Sequence, residues 1–110
     1  MAESGTGVAT FPVVKVPVAG TRVSLKTLAA TVAPSGAKSV MIQALTTNTG
    51  RIVIGDEQVV AAAGTHAAPT QRGVSLIATE TLTLDIDDIA LMWIDATANE
   101  DGITGLALLP

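Results

Sequence analysis

Asp85, Asp87 and Asp88 stand almost side by side, and Asp95, Asn99, Glu100 and Asp101 crowd a second short stretch. Clusters of oxygen donors like these are the raw material of calcium and magnesium sites. The first set lacks the regular ligand spacing and the closing glutamate of an EF-hand loop, and two of its members fall on the outward side of a strand. The second surrounds a turn, where its oxygens could converge. Neither pattern is specific enough to imply a metal, and no cofactor is expected. Carboxylates on opposing strands could form a glycosidase pair, but acidic residues are common on wet sheet faces and no long segment is present to wall a deep cleft. The lone histidine, His66, sits in AAAGTHAAPTQR with no nucleophile context and no paired base, which leaves a serine, histidine and acid mechanism without support. The glycine-containing turns do not precede the helix that a phosphate-binding loop requires. The chain reads as noncatalytic.

Binding chemistry is narrow as well. Phe11 and Trp93 are too few for an aromatic stacking platform, and the six basic residues are dispersed. The formal charge of −4 also points away from nucleic acid. Its distribution is uneven: residues 1–55 hold Lys15, Arg22, Lys26, Lys38 and Arg51 against Glu3 alone, whereas residues 56–110 hold Arg72 against nine carboxylates. Strand pairing can interleave the halves, and the asymmetry reads first as solubility and edge protection. Basic residues of the first half could meet an acidic protein surface, where they would steer encounter more than add affinity.

Strands must position these side chains. Residues 39–56, SVMIQALTTNTGRIVIGD, set two β-favouring runs on either side of Thr47, Asn48, Thr49 and Gly50. Asn and Gly tolerate the positive φ of a tight reversal, and an antiparallel hairpin is expected. Val40, Ile42 and Ala44 share one face of its first strand, with Met41, Gln43 and Leu45 on the other, while Ile52 and Ile54 give the return strand a matching apolar side. Residues 80–88, ETLTLDIDD, alternate most cleanly, with Leu82, Leu84 and Ile86 opposite Thr81, Thr83, Asp85 and Asp87. Residues 22–26 read as a strand that 28–32 either continue or leave, and 58–62 and 73–78 as brief strands. Residues 61–72 read as a surface loop. Residues 89–94 are apolar on both sides, as in a doubly covered strand or a subunit contact; Trp93 is the large anchor there, a plug of its own core or an interface residue. Asn99, Glu100, Asp101 and Gly102 turn the chain into a last strand at 103–109, with Gly102 suited to the positive φ.

Residues 1–10 are small and flexible in composition, and Pro12 and Pro17 remove two backbone donors from the loosely alternating run that follows. Residues 1–20 are therefore assigned to a flexible or extended N-terminal arm and 21–110 to a single all-β domain. Phe11, Val14, Val16 and Val18 on the arm, together with Trp93, are the possible interface residues. Phe11 inserted into a neighbouring subunit would make the arm a clasp; otherwise it closes the base of its own domain. The 110 residues suffice for one domain, and its core must be packed mainly from Val, Ile, Leu and Ala. Cysteine is absent, so folding is compatible with a reducing cytosol. The first twenty residues lack the pattern of a signal peptide, and no run reaches the about 20 apolar residues of a membrane span, so a soluble product is expected. The expected fold is all-β: a compact β-sandwich or jelly-roll-like barrel of about seven or eight short antiparallel strands with an extended N-terminal arm.

The segments ALTTNTGRIVIGD, GVSLIATETLTLDIDDI and MWIDATANEDGITGLAL, taken in order over most of residues 39–109, resemble small virion structural proteins of tailed bacteriophages, including head-decoration and accessory proteins. The features that carry the resemblance are the NTGR turn, the glycine opening the GVSL segment, the ETLTL strand, and the WIDA strand followed by a DG turn. The resemblance implies a repeated virion component, assembled in the host cytoplasm, that decorates and stabilises the capsid from its exterior. Its implied partners are the major capsid protein and further copies of itself, as a trimer or other small oligomer, with neither nucleic acid nor membrane as partner. The β core would fix the contact face, the extended start would reach across a neighbouring subunit, and multivalent attachment would let modest contacts accumulate. A tail or baseplate module and a carbohydrate-binding β-sandwich are the alternative functions. The scarcity of aromatic residues makes sugar recognition by stacking the poorer fit.

Overall fold

Alternating apolar and polar side chains give a strand one dry face, and two sheets can bury their dry faces against each other. The computed structural model describes residues 7–61 and 71–110. Its strands are β1 (Val8–Thr10), β2 (Val14–Val16), β3 (Val23–Ser24), β4 (Ser39–Ala44), β5 (Ile52–Gly55), β6 (Val74–Leu76), β7 (Thr81–Leu84), β8 (Trp93–Ala96) and β9 (Asp101–Leu108). Sheet 1 runs β1-β9-β4-β7, with β2 also paired to β9; sheet 2 runs β3-β8-β5-β6, and every pairing is antiparallel. The chain is an all-β sandwich, as its alternation predicts.

The core lies between the sheets. Val40, Ile42 and Ala44 on β4 and Ile103 and Ala107 on β9 point inward from sheet 1, and Ile52, Ile54, Leu76, Ile94 and Ala96 come from sheet 2; all join one buried cluster. The long β9 organises sheet 1, because β4 pairs along one edge of it while β1 and β2 take the other.

The expected hairpin at 39–56 does not form. Strand β4 lies in sheet 1 and β5 in sheet 2, so the NTGR segment carries the chain from one sheet to the other. Both edges of β4 are occupied, by β9 and β7, and both edges of β5, by β8 and β6. This crossing lets the apolar sides of β4 and β5 face the same interior. The turn at 99–102 is likewise a crossing, from β8 to β9, and it is Glu100 that takes the positive φ, at 68°. Gly102 is needed for another reason: a Cβ there would collide with the Val14 carbonyl oxygen of β2.

Other departures have local causes. Residues 26–32 form helix α1 (Lys26–Val32), whose Leu28 and Ala29 are buried. Its alanines favour a helix, and the adjacent Leu28 and Ala29 can both turn toward the core from a helix, whereas in a strand they would point to opposite faces. Residues 89–91 form a short 3-10 helix in which the Asp88 carboxylate accepts the Ala90 N–H at 3.0 Å; the strand resumes only at Trp93. The brief strand expected at 58–62 is, in its described part, a single bridge between Val60 and Arg72. Residues 8–10 and 14–16, expected in the arm, are strands of sheet 1. Pro12 and Pro17 flank β2 at the sheet edge, where a missing donor is tolerated. Residues 1–6, and the part of the 61–72 loop that includes His66, lie outside the described residues.

Candidate functional site

The five residues expected at an interface are dispersed by the fold. Phe11 is 6% exposed and sits in the main core, its N–H donating to the Gly105 carbonyl at 2.8 Å. It closes its own domain and is not free to clasp a neighbour. Val16 is fully buried in the same core, and Val14 packs against it half-buried. Val18 is 57% exposed beyond the end of β2. Trp93 is half-buried on the opposite sheet, where it packs against Val53, Val59 and Ala61 outside the main core.

The acidic sets are also taken apart. Asp101 is 3% exposed, and its carboxylate accepts the N–H groups of Thr49 at 3.0 Å and Gly50 at 2.7 Å. Asn48 binds Gly102 in both directions, donating to its carbonyl and accepting its N–H, each at 2.9 Å. A Cβ on Gly50 would strike the Thr97 hydroxyl, so the NTGR corner is pinned against the start of β9 and has no room for a side chain. Asp95, 2% exposed, accepts the N–H groups of Ala61 at 3.0 Å and Ala96 at 2.8 Å. Asn99 accepts the Ala19 N–H at 2.8 Å, and Glu100 lies 3.9 Å from Lys15 in an exposed ion pair. These carboxylates tie crossings and edges together, and no group of three or more potential metal ligands converges among the described residues. Asp85, Asp87 and Asp88 are exposed beyond β7.

What the fold does assemble is a broad outer face on sheet 1. Cross-strand partners share a face, so the registers place its outward side chains in rows. One row is Val8, Leu108 and Ser39; the next is Thr10, Leu106, Met41 and Thr83; the third is Thr104, Gln43 and Thr81. None of these side chains is charged. Val8, Met41 and Leu108 are among the exposed large apolar residues, and Lys15 enters only at the β2 corner, where it meets Glu100. A face that merely met solvent would ordinarily carry Lys and Glu. The sequence holds a signal for this surface in the outward positions of SVMIQA and ITGLAL, which lack charge, but it is readable only once β4 and β9 are known to be neighbours.

The outer face of sheet 2 is different. Residues 56–61 fold back over it, Val59 and Ala61 bury Val53, and the buried Asp95 holds the Ala61 N–H. Comparisons with protein-family models, with curated proteins and with solved structures found no match.

Proposed function

We propose that the chain is a noncatalytic structural protein of a tailed-bacteriophage virion, a capsid decoration protein that binds the exterior of the shell and stabilises it. The resemblance of the NTGR, ETLTL and WIDA segments supports the virion assignment. The observation that carries the mechanism is the uncharged outer face of sheet 1, where Leu106 and Met41 stand side by side at the centre of four strands. Valine, leucine and threonine side chains on a sheet lose less conformational entropy on docking than Lys or Glu would, and removing apolar area from water contributes about 25 cal/mol per Å². Many copies on one lattice would let contacts of this size accumulate. The proposed partners are the major capsid protein and further copies of this chain, as a trimer. With β1 and β2 held in their own sheet, the contact role passes from the 11–18 segment to the sheet face.

The test is occupancy on assembled shells. Met41→Lys with Leu106→Lys puts two charges into the contact and leaves the core untouched. The expected result is a folded protein with strongly reduced occupancy and less stable particles; wild-type occupancy would reject the proposal. Deleting residues 1–17 would be a poorer test, because it removes Phe11 and Val16 from the core.

A further inference from the structure

The cover over sheet 2 reaches Trp93 through Val59 and Ala61 but leaves the indole only half-buried. It begins at a turn in which the Asp56 carbonyl accepts the Val59 N–H at 3.0 Å and the Asp56 carboxylate accepts the Gln58 N–H at 2.9 Å. Trp93 is paired across the sheet with Gly55 on β5 and Ser24 on β3, so neither neighbouring position brings a large side chain over the indole. Beyond it the 3-10 helix raises Leu91, 62% exposed, as a far wall. The result is an open cleft of about 480 Å³ lined by Asp56, Glu57, Ala90, Leu91 and Trp93. Asp56 and Glu57 are both exposed, and among the described residues the one ion pair is Lys15 with Glu100, so neither has a cation beside it there.

A half-buried indole, an apolar wall and two carboxylates select among possible occupants. An anion is repelled. A sugar could stack on the indole and donate hydroxyls to the two carboxylates, but it carries no charge to complement theirs and no side-chain donor lines the cleft for its own oxygens beyond the indole N–H. A guanidinium uses every part of the cleft. Its plane stacks on the indole, its N–H groups meet the two acceptors, and its alkyl stem lies along Leu91. The charge of the exposed Asp56 and Glu57 would also steer a basic segment toward the cleft. We infer that the Trp93 cleft binds an arginine side chain presented by a basic segment of a partner protein. This inference uses the sheet opposite the proposed capsid-binding face and stands or falls independently of it.

Trp93 is the single tryptophan, so its fluorescence and its indole N–H resonance report on the cleft alone. Acetyl-arginine amide is titrated into the full chain, with acetyl-citrulline amide as its uncharged isostere and methyl glucoside as a sugar probe. The arginine probe should shift the indole resonance along a saturable curve, and citrulline should bind at least about fivefold more weakly. Asp56→Asn with Glu57→Gln should weaken the arginine probe by about fivefold or more without moving the melting curve, since the Asn oxygen can still accept the Gln58 N–H. Glu57→Gln alone, which leaves that turn bond untouched, should give a smaller loss in the same direction. Equal responses to arginine and citrulline, a response that does not saturate, or one undiminished in both variants would overturn the inference. Saturation by the glucoside and not by arginine would overturn it in favour of a sugar site.

Discussion

On sheet 1 the outward Met41 lies beside Leu106 and stays 41% exposed, whereas on sheet 2 the outward Val53 is fully buried under Val59 and Ala61. Both residues alternate with core side chains on the middle strands of their sheets. The difference lies in what covers them: residues 56–61 return over Val53 and are fastened by Asp95, while no described segment returns over Met41. An outward apolar residue is therefore not evidence of an interface by itself. On sheet 2 the chain supplies its own cover; on sheet 1, among the described residues, three uncharged rows stay open, and this is the surface proposed above for the capsid contact.

The largest test of this contrast is a matched pair of lysines. Val53→Lys forces a cation beneath the cover and should cost several kcal/mol, about 3 or more, enough to leave much of the protein unfolded in a denaturant titration. If Val53→Lys were as mild as the same change at Met41, the two faces would not differ as described. Next in size is Asp95→Ala, which strips the acceptor from the Ala61 and Ala96 N–H groups and should cost about 2 to 3 kcal/mol, with faster hydrogen exchange at Ala61. Asp101→Ala should cost a similar amount but speed exchange at Thr49 and Gly50, leaving Ala61 protected; matching exchange patterns in the two variants would mean that cover and corner open as one unit. Met41→Lys should shift stability by no more than about 0.5 kcal/mol, because the new side chain stands in water in the isolated chain. Smallest of all, Lys15→Ala should change stability by less than about 0.5 kcal/mol, and a pronounced salt dependence of that change would show the Lys15–Glu100 pair to be stronger than its exposure allows.

The sandwich was legible because Val40, Ile42 and Ala44, and again Leu82 and Leu84, fall at every second position, and that spacing alone decides which side of a strand is dry. Which strands pair was not legible. Thr47, Asn48, Thr49 and Gly50 suit a reversal within one sheet as well as a corner between two, and the groups that decide the matter, Asp101 and Gly102, lie some fifty residues further along the chain. Asp95 and Asp101 read from sequence only as oxygen donors around a turn, for the same reason: their role is to accept backbone N–H groups from distant segments. Phe11 was visible as the single phenylalanine of the chain, but its burial depends on the close passage of β1 and β2 along β9. The uncharged face of sheet 1 combines outward positions from four separate segments, so no single stretch announces it.

Electron cryomicroscopy of virions assembled with this chain would show where it sits and which face it turns to its neighbours. Copies are expected on the exterior of the head with sheet 1 turned toward the shell or a neighbouring copy, so that Met41 and Leu106 are covered. Copies whose sheet 1 faces open solvent, or density for the chain on the tail alone, would contradict it.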